Sequence, residues 1–136
     1  MRVKQSPIHS PCPCESGQPY VGCCGIWHAG IHDGSHAPTP EVLMRSRYCA
    51  YVLGRIDYLL ATWHASTSPG ELELPPVKWL GLEVRHAMAS GDAGVVEFVA
   101  RCRDTGKAQR MHETSRFVRE EGRWYYIDGL LADPAD

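Results

Sequence analysis

No apolar run among the 136 residues approaches the roughly 18 that a membrane-spanning helix needs. Positive charge is not in excess either: 14 Lys and Arg stand against 16 Asp and Glu, a formal net charge of -2. Such a chain has no basic field to hold phosphate backbones, which disfavours nucleic acid as its partner. Phosphate-cradling and nucleophile-elbow loops are missing, and the glycines between Gly22 and Gly34 are scattered singly. Residues 1–7 carry positive charge but lead into Cys, Pro and Gly where a secretory signal needs an apolar centre, so the expected compartment is cytoplasmic. The length suffices for one compact domain with a small appendage and not for two independent cores.

The cysteines are concentrated: four of the six fall between Cys12 and Cys24. In a reducing compartment such a cluster points to metal binding before disulfides. Cys12-Pro13-Cys14 and Cys23-Cys24 bracket the eight-residue, turn-rich stretch from Glu15 to Gly22. Four thiolates fill a tetrahedral zinc shell, and a filled shell is structural because no position remains for water or substrate. The expectation is one structural zinc per chain on Cys12, Cys14, Cys23 and Cys24. Adjacent Cys23 and Cys24 are poorly placed for an unstrained disulfide, and the CxC spacing differs from the CxxC of thioredoxin-like enzymes. His28, His32 and His36 are alternative ligands, although their spacing reads more readily as a solvated linker. Between Cys12 and Trp27 there is no Lys or Arg, so Tyr20, Ile26 and Trp27 fit protein recognition, or stapling of the loop to the main domain, better than phosphate gripping.

The chain divides at residue 38. Residues 1–38 are rich in Pro and Gly and show no periodicity, whereas 39–136 read as an α+β domain. Thr39-Pro40-Glu41 is a helix start, and Met44, Tyr48, Tyr51 and Val52 form an apolar stripe over 40–53 that ends at Gly54. Arg45, Arg47 and Arg55 lie off that stripe and read as a solvated or salt-bridged surface. Asp57 is placed to cap a second helix over 58–63. From Val77 onward the period is two, with turns near 90–94, 104–107 and 120–123: a four-stranded antiparallel meander. Cys49 and Cys102 read as small buried sites.

Two-residue turns at Thr105-Gly106 and Glu121-Gly122 pair Phe98 with Glu113, Val96 with Ser115, Phe117 with Tyr126 and Ser115 with Asp128. An odd-length first turn then places Leu80, Leu82, Val84, His86 and Met88 on the inner face. His86, Glu113 and Asp128 would project toward a common concavity, with Trp63 and Tyr126 as walls. A His beside carboxylates is ordinary equipment for proton transfer, and equally for an internal hydrogen-bond network. Val95, Val99, Tyr125 and Ile127 on the other face would serve a homodimer; the alternative is a monomer.

Two resemblances add to this reading. Cys12-Pro13-Cys14-Glu15-Ser16-Gly17 followed by Cys23-Cys24-Gly25 is similar to the SEC-C zinc motif of the preprotein-translocase ATPase tail, except that Glu15 stands where that motif has Gly. Met44-Arg45-Ser46-Arg47-Tyr48-Cys49-Ala50-Tyr51, Thr62-Trp63-His64, Trp79-Leu80-Gly81-Leu82, His112-Glu113-Thr114-Ser115-Arg116-Phe117 and Arg123-Trp124-Tyr125-Tyr126-Ile127-Asp128-Gly129 resemble the YchJ family. The resemblance implies a SEC-C segment followed by a nuclear-transport-factor-2-like cone, helices packed on a curved antiparallel sheet, and carries over no settled activity. The combined expectation is a zinc-binding accessory protein with a protein partner. The alternative is a small-molecule binder or acid-base enzyme using the cone cavity.

Overall fold

The computed structural model describes residues 10–131; the stretch through Pro7 lies outside them. Helix α2 spans Pro40–Leu53, with the ends that its sequence predicts. Thr39 Oγ1 accepts the Val42 amide at 3.2 Å, Pro40 occupies the first turn, and Gly54 closes the helix at φ +74°. Helix α3, Ile56–Ala61, begins and ends two residues earlier than expected. Asp57 accepts the Tyr58 amide at 2.8 Å from within the first turn and not from ahead of it.

The stretch expected to be an irregular linker contains helix α1, Cys24–Asp33. Its glycines and weak apolar stripe conceal it in the sequence, and tertiary packing forms it. Cys24 and His28, one turn apart, are buried, and Gly30 packs so closely that an added Cβ would collide with the Ser35 carbonyl oxygen. His28 is 1% exposed; its Nδ1 accepts from Tyr20 Oη at 2.6 Å and its Nε2 donates to the Ser46 carbonyl at 2.7 Å. It is therefore a neutral core residue joining α1 to α2, while His32 and His36 stay at the surface.

Strands β1 (Lys78–Ser90), β2 (Ala93–Asp104), β3 (Lys107–Glu120) and β4 (Arg123–Leu131) form one antiparallel sheet in sequence order, and α2 packs against β1, β2 and β4. Phe98 pairs with Glu113 and Val96 with Ser115, as the turn chemistry requires. The first turn is the two-residue Gly91-Asp92 and not an odd loop, since Ser90 pairs with Ala93. Bulges resolve the parity: Leu80 and Arg85 are extra residues in β1, so Leu82 and Val84 face inward while Leu80 and Met88 are 43% and 54% exposed. A third bulge at Ile127 pairs Asp128 with Arg116, and Ser115 with Gly129 in place of Asp128.

Cys12, Cys14 and Cys24 share a single buried cluster with Leu43, Leu59, Val96 and Phe117, so the cysteine segment is continuous with the domain core. No helix among the described residues is long and apolar enough to cross a membrane. Replacing His28 with Leu orphans the Tyr20 hydroxyl and the Ser46 carbonyl and should cost about 1–3 kcal/mol in urea unfolding, whereas His32→Leu should stay within about 0.5 kcal/mol. Burial holds the His28 pKa below the usual imidazole value. The unfolded chain then takes up the proton first, so His28 contributes stability above the unfolded pKa that is lost as pH falls through it. Urea titrations between pH 7.5 and 5 should show a shallower pH slope for His28→Leu.

Candidate metal centre and cone cavity

Four thiols converge from two separate parts of the chain. The Sγ atoms of Cys12, Cys14, Cys24 and Cys49 all lie within 4.8 Å of one another, and none of these residues is more than 4% exposed. Cys12 and Cys14 come from the turn-rich loop, Cys24 from the start of α1 and Cys49 from the middle of α2. The Cys12–Cys49 sulfur separation is 3.3 Å, near the edge of about 3.8 Å for a tetrahedron with metal–sulfur bonds of 2.3 Å. Donor type, number and spacing therefore fit a metal ion with four thiolate ligands. Cys23 is outside the mutually close set but touches one corner of it: it is partly exposed, with its Sγ 3.6 Å from that of Cys14 and 3.1 Å from Ser16 Oγ.

The sulfurs differ in proton affinity. Cys14 is held far below the ordinary thiol range because the thiols of Cys12, then Cys24 and Cys49, donate to it. Cys24 and Cys49 are pushed well above it, chiefly by donating to Cys12 and Cys14. Metal binding must displace those protons. Arg45 braces the loop from α2, its Nη1 donating to the Cys14 carbonyl at 2.7 Å while its Nε pairs with Glu41 at 3.0 Å.

On the opposite side of α2 a cavity of about 360 Å³ opens between the helix and the inner face of the sheet. Tyr48, Tyr51, Trp79, Phe98 and Met111 give it apolar walls, and Arg47 and Glu113 are its charged residues apart from Glu73 in the loop at 62–77. Arg47 is 5% exposed. Its Nη1 donates to the Leu59 carbonyl and Thr62 Oγ1, and its guanidinium carbon lies 4.3 Å from the Tyr126 ring centroid and 5.0 Å from that of Trp63. Residues 62–64 hold that sandwich by bonding to the Tyr126 backbone in both directions at 2.8 Å. Burial raises the Glu113 pKa, and its carboxyl lies over Gly129, where a Cβ would overlap it.

The family model for the middle, nuclear-transport-factor-2-like domain of YchJ matches residues 39–129. The chain belongs to the YchJ family. It is 57% identical over 128 residues to a UPF0225 protein of Chromobacterium violaceum, covering 89% of this chain and 93% of that one. A UPF0225 protein of Methylibium petroleiphilum is 54% identical, with 93% of each chain covered. The solution structure of a SEC-C motif containing protein from Rhodopseudomonas palustris superposes with a TM-score of 0.78 at 35% identity, covering 90% of this chain and 98% of its own. The crystal structure of a SEC-C motif containing protein from Psychrobacter arcticus gives 0.77 at 27% identity, with 93% and 85% covered. The α+β architecture is thus a cysteine cluster docked on a nuclear-transport-factor-2-like domain.

Within this YchJ-family cone the residues expected to share a concavity separate. Of His86, Glu113 and Asp128 only Glu113 lines the cavity; Ser115, which also borders it, points a hydroxyl toward the carboxyl at 3.5 Å. The Arg85 bulge carries His86 to an exposed position opposite Glu97, and the Ile127 bulge carries Asp128 to the outer face, where Arg116 Nε donates to it at 2.7 Å. Trp63 and Tyr126 do meet, with ring centroids 5.1 Å apart. Arg47, expected on the surface, is buried, and Arg55 pairs with Asp57 at 3.1 Å.

Glu15, the departure from the SEC-C pattern, sits at φ +63°, in the left-handed region that favours glycine. Its Oε2 accepts the Leu82 amide at 2.5 Å, reaching β1 through the space that Gly81 leaves by having no Cβ. The strained backbone is compensated by a charge-assisted bond from the cysteine loop to the sheet. Glu15→Ala loses the bond and keeps the strain, so it should destabilise the fold by about 1.5–3 kcal/mol in urea titration. Glu15→Gly should recover about 1 kcal/mol of that by relieving the strain.

Proposed function

We propose that the chain is a zinc-stabilised accessory protein of the cytoplasm that acts by binding a partner protein, with the metal as a structural centre. The observation that carries this reading is the closure of the thiol cluster. All four sulfurs are buried and drawn from both the loop and α2, which leaves no approach for a substrate. Zinc is the ion that suits four thiolates without redox chemistry. Binding it fastens residues 12–33 to the cone and shapes the surface they form. On that surface Val21, Ile26 and Ile31 are 51%, 40% and 37% exposed, whereas Tyr20 and Trp27 pack inward against the core and serve as the staple. The absence of Lys and Arg from 12–27 favours a protein over a nucleic acid as the partner. Four converging thiols suited to a metal ion fit a reducing compartment, where cysteines are kept for metal in place of disulfides. Acid-base catalysis in the cone has less support, since of His86, Glu113 and Asp128 only Glu113 lines the cavity.

Native mass spectrometry of freshly purified protein should give the chain plus one zinc; a metal-free mass would overturn the reading. Cobalt substitution tests the ligand set, because each thiolate adds to the sulfur-to-cobalt charge-transfer absorbance. Cys49→Ser should lower that absorbance by about a quarter and weaken retention against a chelator, whereas Cys23→Ser should leave both unchanged. The reverse pattern would return the fourth position to Cys23. A photo-crosslinking residue at Ile26 should trap a partner protein in cells where one at the exposed β2 position Arg103 does not. Equal yields would remove the recognition role from this surface.

A further inference from the structure

Arg47 is a buried cation that the fold leaves without a countercharge. None of the ion pairs among the described residues involves it. Its hydrogen bonds there are both made by Nη1, to Leu59 O and Thr62 Oγ1, which leaves Nε and Nη2 without a protein acceptor. The side chain nevertheless borders the cavity of about 360 Å³, and both of its aromatic neighbours are held in place, Tyr126 by the sheet and Trp63 by its bridge to Tyr126. Burial brings the guanidinium down only to about 10, so it is charged at neutral pH. A buried charge is costly unless something pairs with it, and two aromatic faces offset only part of that cost. The remaining walls, from Tyr48, Tyr51, Trp79, Phe98 and Met111, are broad and apolar. The volume lies in the range of small-molecule pockets.

We propose that the cone cavity is a binding site for a small planar monoanion, an aromatic or similarly flat carboxylate. Arg47 receives the anionic group, and the apolar body lies among Tyr48, Trp79 and Met111. Glu113 sets the second requirement. It is the cavity's partly buried acid, and with Ser115 beside it, its carboxyl oxygens accept a hydrogen bond from an N–H or O–H on the ligand and, when ionised, repel a second negative charge. Dianions such as phosphate esters are thereby disfavoured, and a carboxylate carrying a donor on its ring is the fullest match. The site lies on the opposite side of α2 from the thiols and does not depend on which metal they hold.

The test uses 1-naphthoate and its neutral isostere 1-naphthamide, titrated into the full-length protein as purified and followed by amide chemical shifts. Naphthoate should bind at least tenfold more tightly than naphthamide, with shifts centred on residues of α2, β2 and β3 that border the cavity. Met111→Trp, which fills the cavity from the sheet side and leaves the Arg47 side chain unmutated, should abolish binding of both probes. Arg47→Gln should bring naphthoate down to the affinity of naphthamide. Because Arg47 also bonds to Leu59 and Thr62, the probe comparison in the wild-type protein stands as the deciding measurement if that variant fails to fold. Equal affinity for the two probes would overturn the anion assignment. Absence of naphthoate binding at millimolar concentration, or shifts confined to the outer face, would overturn the site.

Discussion

Helix α2 is buried on two sides, and the rest of the structure depends on that constraint. One row of its residues, Met44, Arg47, Tyr48 and Tyr51, faces the cone cavity. A second row, Arg45, Ser46 and Cys49, meets the cysteine segment through the Cys14 carbonyl, His28 and Cys12. Both rows follow the three- and four-residue spacing that places side chains on one helical face. A helix with two buried faces cannot be satisfied by the sheet alone. Without residues 10–33 the second row, including a carbonyl acceptor and a thiol, would be presented to solvent. The segment too short for its own core is therefore a missing wall of the larger domain, and the thiol cluster is where that wall closes.

This arrangement changes the energetic meaning of the metal centre. In a free-standing zinc loop the metal would fold only its own turn. Here one of the four converging sulfurs comes from the domain helix, so an ion held by all four would link metal affinity to domain packing. The link is reinforced by polar contacts that do not need the metal. Arg45 holds the Cys14 carbonyl, His28 holds the Ser46 carbonyl, and Glu15 holds the Leu82 amide. Each satisfies a main-chain group that docking would otherwise orphan.

Much of the architecture was legible from local chemistry. Thr39, Pro40 and Gly54 bound α2 because capping and left-handed closure are local properties, and the Phe98–Glu113 register follows from a two-residue turn. What escaped was decided by distant contacts. The bulges at Leu80, Arg85 and Ile127 have no strong local signature, yet each reverses which side chains face inward, and two of them move His86 and Asp128 out of the cavity. Helix α1 was hidden because its stability comes from burying Cys24 and His28 against α2. Cys49 reads as a small apolar residue until the loop brings Cys12 to it. Arg47 was the most recoverable miss: it reads as lying off the stripe, yet it comes three residues after Met44 and four before Tyr51, which is the spacing of the inward face.

A charged residue in an apolar stripe needs a reason, and the two sides of α2 give contrasting ones. On the cysteine side Arg45 is about a quarter exposed, paired with Glu41 and bonded to a carbonyl; its role is complete within the fold. On the cone side Arg47 is enclosed, held between Trp63 and Tyr126, and two of its three nitrogens have no acceptor among the described residues. If Arg47 served packing alone, a methionine of similar length would fill the space without the desolvation cost, since buried ionic groups are often replaceable by apolar ones. The fold instead retains the cation at the wall of an open cavity and, among the described residues, pairs it with neither of the cavity's acids, Glu73 and Glu113. Neutralising Arg47 internally would need only a carboxylate within reach on the inner face. The bulge that turns Asp128 outward removes the one that the ideal register would have supplied, so the geometry that defeats an acid-base pair there is the same geometry that leaves a cation for a ligand.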